Sequence, residues 1–173
     1  MPAPFPRASL VVMGVSGCGK TSLAQAVTDA LGWRFIEGDA HHGPDNLAKM
    51  REGTPLTDAD RAGWLDTLAA QLGQPPLPAV LSCSALKRAY RDRLRAASPG
   101  LRFAFLDITP DEARRRVQAR AGSHFFTPQL VDSQFATLQR PDGEAGVLRL
   151  DATAERAQLT RQVVAWLTRE ETA

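Results

Sequence analysis

The sequence predicts an α/β fold, with a five-stranded parallel sheet between two layers of helices. Short apolar runs alternate with longer amphipathic stretches, which is the pattern of strands joined by crossover helices. Several of these runs are apolar at every position, as expected for strands that helices cover on both faces. With 173 residues, of which 43% are hydrophobic and 23% charged, the chain is expected to form one compact domain over residues 1–173.

Five strands and seven helices are predicted in order along the chain. The strands are Ser9–Gly14, Arg34–Glu37, Ala79–Cys83, Arg102–Asp107 and Val147–Asp151. The helices are Lys20–Leu31, Pro44–Glu52, Asp58–Leu72, Leu86–Ala96, Pro110–Ala121, Pro128–Leu138 and Ala154–Arg169. Three of these helices begin with proline, which the first turn of a helix tolerates. The two helices after the second strand and the helical pair after the fourth indicate substrate-binding and lid elements.

Composition argues against several classes of protein. A formal charge of +2, with basic residues spread along the chain, does not predict a nucleic-acid surface. Two cysteines form no disulfide framework and lack a zinc-binding spacing. The first residues lack the apolar run of a signal peptide, and no stretch is long enough to span a membrane. We therefore expect a cytoplasmic protein with a small-molecule substrate and no nucleic-acid or membrane partner.

One motif points to nucleotide binding. It follows an apolar strand, opens a helix and matches G-x-x-x-x-G-K-[ST] over Gly14-Val15-Ser16-Gly17-Cys18-Gly19-Lys20-Thr21. Its backbone N–H groups, together with Ser22 and the helix N-terminus, are expected to hold phosphate oxygens. Lys20 would reach the β- and γ-phosphates of ATP and Thr21 would ligate Mg²⁺. The alternative is a glycine-rich turn that only packs a strand on a helix.

The reaction class depends on the residues around this loop. Asp107 and Asp151 both end strands, so each is either a Mg²⁺ ligand of a nucleotide switch or a carboxylate that simply ends a strand. An Asn-Lys-x-Asp guanine motif is absent. A kinase instead needs a carboxylate that faces the acceptor hydroxyl. Asp39, directly after the second strand, would serve as that catalytic group, although it could also cap the following helix.

Two arginines are candidates for the lid over the transferred phosphoryl group. Arg116 and Arg120 lie four residues apart on one predicted helical face, just before a glycine-containing turn. One guanidinium would contact the nucleotide, and Arg120 would stabilise the charge that develops during transfer. Solvated arginines on a helix face are the alternative. The expected catalytic group is therefore Lys20, Asp39 and Arg120.

Four segments together resemble the thermoresistant type of gluconate kinase, a family of small P-loop enzymes related to shikimate and adenylate kinases. They are the loop Gly14–Thr21, the segment Gly38–Leu65 that begins Gly38-Asp39-x-x-His42, the stretch Cys83–Asp92, and His124–Leu138. The resemblance implies a three-layer P-loop kinase fold with a helical lid and acceptor-binding helices. It also implies ATP and Mg²⁺ as cofactors, transfer of the γ-phosphoryl to the 6-hydroxyl of D-gluconate, and a homodimer.

The resemblance places an acceptor-binding segment at residues 38–65 and a lid at 120–128. Its implied substrate ligands are Asp39, His42, Arg61, Ser84, Lys87, Arg91, His124 and Gln134. The arginines and Lys87 would meet the carboxylate of gluconate, and Asp39, His42, Ser84 and Gln134 would bind its hydroxyls. Alternatives exist for several of them, since Arg61 could pair with neighbouring aspartates, Trp64 could be core, His42 could cap a helix and His124 could brace the lid.

Two other functions remain open at this stage. One is a related kinase for another small acid such as shikimate, although Cys83-Ser84-Ala85 stands where shikimate kinases carry a glycine-rich stretch. The other is a non-metabolic protein that uses ATP as a binding switch. Three departures from the family pattern also stand out. Gly43 replaces a usual proline, Glu37 an aspartate, and the lid is one residue longer.

Overall fold

A computed structural model describes residues 8–120 and 128–170 of the chain. Five parallel strands form one sheet in the order β2-β3-β1-β4-β5. They are β1 (Leu10–Met13), β2 (Arg34–Glu37), β3 (Ala79–Ser82), β4 (Arg102–Asp107) and β5 (Val147–Asp151). The chain extends the sheet first on one side of β1 and then on the other. Ligands of such sheets bind at the carboxyl ends of the strands beside this reversal.

Helices cover both faces of the sheet, which confirms the predicted fold class. The helices are α1 (Lys20–Leu31), α2 (Pro44–Glu52), α3 (Asp58–Leu72), α4 (Arg88–Ala97), α5 (Pro110–Ala119), α6 (Pro128–Thr137) and α7 (Arg156–Glu170). Successive residues of β1 point to opposite faces, so Leu10 and Val12 join one buried cluster while Val11 and Met13 join the other. The first cluster includes residues of α1, α5 and α7, and the second includes residues of α3 and α4.

Several element boundaries differ from the prediction by one or two residues, and one short element is new. Helix α4 begins at Arg88 rather than Leu86, because Ala85 has φ of 47° and Lys87 has an extended backbone. Helix α7 begins at Arg156, after a turn in which the N–H of Ala154 donates to the carbonyl of Asp151. A short 3-10 helix over Gly38–His41, directly after β2, was not predicted.

Local capping explains where the helices next to the site begin. Helix α3 starts with a capping box, in which the Thr57 hydroxyl accepts from the N–H of Asp60 and the Asp60 carboxylate accepts from the N–H of Thr57. Helix α5 starts with a simpler cap at Thr109, whose hydroxyl accepts from the N–H of Glu112. Within the described ranges, no helix is long and apolar enough to cross a membrane.

Candidate active site

The predicted phosphate loop connects the end of β1 to the start of α1. Gly14 and Gly17 have backbone φ angles of 149° and 85°, values that residues with a side chain rarely adopt. A Cβ on Gly17 would also lie only 2.9 Å from the carbonyl oxygen of Ala113 on α5. The loop therefore curls tightly against α5, with its backbone N–H groups and the α1 N-terminus forming an anion-binding concavity.

A cavity of about 460 Å³ opens over this loop. It is lined by Ser16, Gly17, Gly19, Lys20, Thr21, Ser22, Glu37, Asp39, Val117 and Arg120. Seven of these residues were predicted to bind nucleotide. Six of them lie between Ser16 and Ser22, and the seventh is Arg120 at the end of α5. In this structure the Lys20 ammonium donates to the carbonyl of Val15 at 3.1 Å. This cavity, the donor cavity, has the position and lining expected for ATP.

Gly14 and Cys18, two loop residues that were predicted to bind nucleotide, lie on the side of the loop away from the donor cavity. Gly14 and Cys18 do not line the donor cavity, and a Cβ on Gly14 would lie 2.7 Å from the Cys18 sulfur. Burial raises the pKa of the Cys18 thiol, although the nearby charge of Lys20 opposes the rise. The thiol is therefore protonated and enclosed, which argues against a reactive cysteine.

Arg116 also differs from its prediction. Its guanidinium is held by the Glu112 carboxylate at 3.1 Å and by the carbonyl oxygens of Gly17 and Ala152 at 3.3 and 3.0 Å. It does not line the donor cavity. Because these three acceptors occupy the guanidinium, Arg116 braces the phosphate loop against α5 and the residue after β5, whereas Arg120 lines the donor cavity.

A cluster of oxygen atoms lies next to Thr21. The Thr21 hydroxyl donates to Glu37 Oε2 at 2.7 Å and lies 3.5 Å from the Ser82 hydroxyl. The other carboxylate oxygen of Glu37 is buried and has no hydrogen-bond partner among the described residues. Mg²⁺ prefers such oxygen ligands and keeps several waters besides. The residues present therefore fit a Mg²⁺ site formed by Thr21 and Glu37 together with nucleotide phosphates.

Glu37 was noted from the sequence only as a departure from the family pattern near the Mg²⁺ position, and Ser82 was not predicted at all. They end the neighbouring strands β2 and β3, and the register pairs them directly. Asp107 and Asp151, the strand-end carboxylates considered instead, serve structural roles. Asp107 pairs with two arginines, at 2.7 and 2.9 Å, and Asp151 accepts from the Thr153 hydroxyl at 2.7 Å.

A second cavity, the acceptor cavity, adjoins the first. It is lined by Ser16, Lys20, Asp39, His42, Met50, Thr54, Pro55, Leu56, Arg61, Trp64, Ser84, Leu130, Ser133 and Gln134. Five of the eight predicted substrate ligands line it, namely Asp39, His42, Arg61, Ser84 and Gln134. They come from four separate parts of the chain, so the fold brings together residues that are up to 95 positions apart between Asp39 and Gln134.

The position of Asp39 follows from the packing of Gly38. A Cβ on Gly38 would lie 2.2 Å from the carbonyl oxygen of Ser82, so only glycine allows the 3-10 helix to approach β3 this closely. The Trp64 indole donates to the Gly38 carbonyl at 2.8 Å and fixes the turn from the other side. Asp39 lies within the 3-10 helix and Gly43 is the N-cap of α2, so the helix-cap alternative for Asp39 is wrong.

Arg61 is a buried cation whose acidic neighbours have other partners. Asp60 pairs with Lys49 at 2.9 Å, and Asp58 accepts from Lys87 at 2.9 Å and from the Tyr90 hydroxyl. The Arg61 guanidinium donates to the Tyr90 hydroxyl at 3.3 Å and makes no ion pair within the described residues. Arg61 therefore interacts with the local charge cluster only through Tyr90 and the field of Asp58, and without a direct ion pair its guanidinium can bind an anionic substrate.

Two predicted substrate ligands lie elsewhere. Lys87 is held at the surface by Asp58 and does not line the acceptor cavity. Arg91 is completely buried, where it pairs with Glu144 and donates to the carbonyls of Ala85 and Gln139 at 2.7 and 2.8 Å. A guanidinium with those partners has no free face for a substrate carboxylate. His124 and residues 121–127 of the predicted lid lie outside the described residues.

Gln134 connects the acceptor cavity to the phosphate loop. Its side-chain oxygen accepts from both the N–H and the hydroxyl of Ser16, at 2.7 and 3.0 Å. Its position on α6 explains why a residue predicted to read substrate hydroxyls also contacts the nucleotide loop.

A phosphate loop with a nucleotide-sized cavity, next to a cavity that holds a buried arginine and a carboxylate, defines a small-molecule kinase of the P-loop class. Residues 10–141 match the family described as an AAA domain. The chain is 48% identical to the gluconokinase of Gluconobacter oxydans over 145 residues. This match covers 82% of this chain and 80% of that protein. The chain is 42% identical to the thermoresistant gluconokinase of Escherichia coli, with 82% of each chain covered.

Solved structures agree with these relatives. The crystal structure of a gluconokinase from Sinorhizobium meliloti matches with a TM-score of 0.88 and 44% identity, over 98% of this chain and 96% of that one. The APS kinase of Mycobacterium tuberculosis, with a TM-score of 0.68 and 24% identity over 94% of this chain and 99% of that one, shares the fold. The chain belongs to the gluconokinase family, and it is an ATP-dependent kinase that transfers phosphate to an alcohol group.

Proposed function

We propose that this enzyme transfers the γ-phosphoryl group of ATP to the 6-hydroxyl of D-gluconate, giving 6-phospho-D-gluconate and ADP. One observation carries the proposal: Ser16, Lys20 and Asp39 line both the donor and the acceptor cavity. A phosphoryl group at the end of one cavity and a hydroxyl at the end of the other would therefore meet beside Lys20 and Asp39. The names of the relatives supply gluconate as the acceptor.

The lining of the acceptor cavity supports a polyhydroxylated acid. Arg61 is 9% exposed and has no direct ion pair among the described residues, so a substrate carboxylate would give this buried charge a direct partner. His42, Ser84 and Gln134 provide polar groups for hydroxyls. Trp64 and neighbouring apolar residues line the rest of the cavity and would contact the carbon chain of the acceptor.

The reaction needs little more than positioning and charge. The Asp39 carboxylate would accept the proton of the 6-hydroxyl as the hydroxyl oxygen bonds to the γ-phosphorus. The bond from that phosphorus to the bridging oxygen then breaks and ADP leaves. Lys20 and Arg120 would stabilise the charge on the transferring group.

Mg²⁺ at the Thr21–Glu37 cluster would neutralise phosphate charge and orient the β- and γ-phosphates. Thr21 provides a hydroxyl, and Glu37 provides the buried carboxylate oxygen without another partner. A homodimer, which the resemblance implies, and a cytoplasmic location, which the composition indicates, stay predictions.

An ADP-release assay with Mg-ATP tests this function across gluconate, shikimate and several neutral sugars. We expect gluconate alone to raise turnover strongly above the rate with ATP only, and 6-phosphogluconate to accumulate in step with ADP. Stimulation by shikimate instead would favour the related small-acid kinase. Slow ATP turnover that no acceptor changes would favour the nucleotide switch.

A further inference from the structure

We infer that Asn46 holds His42 as a neutral ring with its proton on Nε2, so that His42 presents a hydrogen-bond donor to the acceptor cavity. The inference rests on the proposed function and deepens it, because it assigns the polarity of one substrate contact. Asn46 itself is not among the residues that line the cavity. It is thus a positioning residue, which acts on the substrate through His42.

Two hydrogen bonds determine which way the Asn46 amide faces. Its nitrogen lies 2.9 Å from the carbonyl oxygen of Asp60 and 3.1 Å from Nδ1 of His42. A carbonyl oxygen only accepts, so the amide atom beside Asp60 must be the NH₂ group. That NH₂ group has two hydrogens, and the second is directed to His42. Nδ1 must therefore accept, and a neutral ring then carries its proton on Nε2.

The ring cannot easily turn over, a motion that would exchange Nδ1 with the ring carbon Cδ2. It stacks on Trp64 with 4.3 Å between ring centroids and 14° between planes. Trp64 is 4% exposed and is itself tied to the Gly38 carbonyl. A half-turn of the imidazole would place a carbon against the Asn46 donor and leave that buried N–H without an acceptor, which is costly.

The charged groups around His42 keep the ring neutral. Burial, and then the charge of Arg61, lower the pKa of His42 to about 4. Asp39 and Lys20 line the same cavity, and the carboxylate of Asp60 is already paired with Lys49. No carboxylate forms an ion pair with the ring within the described residues, so burial and Arg61 decide its charge state.

The consequence is a defined hydrogen-bonding pattern for the acceptor. Among the described residues no hydrogen bond engages Nε2 of His42, so its N–H is available to a substrate oxygen. A hydroxyl oxygen accepts this bond through a lone pair and keeps its own proton free for another acceptor, such as Asp39. A protonated amine at the same position has no lone pair, so His42 selects hydroxyl over ammonium groups.

Nitrogen NMR of the full chain labelled with ¹⁵N tests the inference directly, without any substrate. The His42 ring signals are identified by their loss in His42→Gln, and His41 serves as an internal reference. We expect a protonated Nε2 and an unprotonated Nδ1, unchanged between pH 6 and 8. A protonated Nδ1, or a cationic ring near pH 7, overturns the inference whether or not gluconate is a substrate.

Asn46→Asp gives a second, functional test. A carboxylate at this position accepts a hydrogen bond from a protonated Nδ1 and raises the pKa of His42. Above that raised pKa the neutral ring would keep its proton on Nδ1 and turn the Nε2 lone pair to the substrate. We expect the KM for gluconate to rise about fivefold to tenfold as pH increases, with kcat changed less, whereas the KM of the parent enzyme stays level.

Ala48→Asp is the matched control, because it adds the same charge at an exposed position of α2. A KM that responds to pH equally in both variants, or in neither, overturns the role of Asn46. If Asn46→Asp does not fold, the nitrogen spectrum of the parent enzyme still decides. Absence of gluconate-stimulated turnover in the parent enzyme overturns the proposed function and leaves the spectrum as the test of the tautomer.

Discussion

The side-chain oxygen of Gln134 accepts hydrogen bonds from both the backbone N–H and the hydroxyl of Ser16, at 2.7 and 3.0 Å. Ser16 lines both cavities, so this contact couples the α6 wall of the acceptor cavity to the phosphate loop. Both residues are buried, so water could not readily replace either hydrogen bond and losing one would be costly. The donor and acceptor halves of the site are therefore held in one arrangement by a single side chain.

Gln134→Leu is expected to weaken both halves of the site together. The buried N–H of Ser16 would lose its acceptor, at a cost of about 1–3 kcal/mol. We predict that kcat/KM falls about tenfold or more for ATP and for gluconate alike, measured by ADP release. Gln129→Leu, at an exposed position of the same helix, should leave both values unchanged. A loss confined to one substrate would show that Gln134 does not couple the two cavities.

Glu37→Gln tests the oxygen cluster beside Thr21. The substitution keeps an acceptor for the Thr21 hydroxyl but removes the charge of the partnerless carboxylate. We expect the Mg²⁺ concentration for half-maximal ADP release to rise about 10-fold to 100-fold at saturating ATP. Glu52→Gln, an exposed change on α2, is the control. An unaltered Mg²⁺ dependence in Glu37→Gln would remove this carboxylate from the metal site.

Two glycine substitutions separate a packing requirement from loop flexibility. Gly38→Ala would place a Cβ 2.2 Å from the Ser82 carbonyl oxygen, so the 3-10 helix must shift and Asp39 with it. We expect kcat to fall about 100-fold, as for a displaced catalytic group. Gly43→Ala faces open space at a φ of −73° and should keep kcat within about twofold.

Thermal unfolding of the two alanine variants shows whether a loss of activity comes from local displacement or from unfolding. A Gly38→Ala enzyme that folds and retains full kcat would mean that Asp39 does not depend on this close approach. Equal losses in both variants would point to a general effect of stiffening the segment.

Glu144→Gln is expected to lower stability by leaving the buried Arg91 charge without its partner. Removing one member of a buried ion pair costs about 3–5 kcal/mol. We predict a correspondingly lower free energy of unfolding in urea. Glu155→Gln, an exposed carboxylate, should change little. Because Arg91 also holds the carbonyl of Ala85, directly after Ser84, the KM for gluconate should rise as well.

The same ion pair predicts how stability depends on pH. Burial opposes ionisation of Glu144, but hydrogen bonds from Arg91 and Arg95 outweigh it and lower the pKa of the carboxyl below its usual 4.5. A lowered pKa in the folded state contributes stability that is fully present above the unfolded pKa and is lost as pH falls through the folded one. The stability difference between the parent enzyme and Glu144→Gln should therefore shrink as pH is lowered from 6 towards 3. A difference that stays constant would exclude ionised Glu144 as the source.

The fold and the nucleotide loop could be read from the sequence because their signals are local. Alternating apolar runs predict the sheet, and the spacing from Gly14 to Thr21 predicts the loop. Helix boundaries were less accurate where backbone geometry overrides propensity, as at Ala85, whose positive φ delays the start of α4 to Arg88.

The errors at the site concern cations whose partners are distant in sequence. Arg91 pairs with Glu144, which lies 53 positions further on, and Lys87 pairs with Asp58, which lies 29 positions earlier. No local pattern distinguishes such structural cations from Arg61, whose acidic neighbours are satisfied by other groups. Glu37 could have been identified, since the ends of adjacent parallel strands meet at one edge of a sheet.

The most direct test of the proposed reaction compares Asp39→Asn with the parent enzyme. Asn is the same size as Asp but cannot take a proton from the acceptor hydroxyl. We expect the rate of 6-phosphogluconate formation to fall about 100-fold to 10,000-fold, with the dissociation constant for Mg-ATP within about twofold of the parent value. Full activity in Asp39→Asn would contradict the assignment of Asp39 as the group that accepts the proton where the two cavities meet.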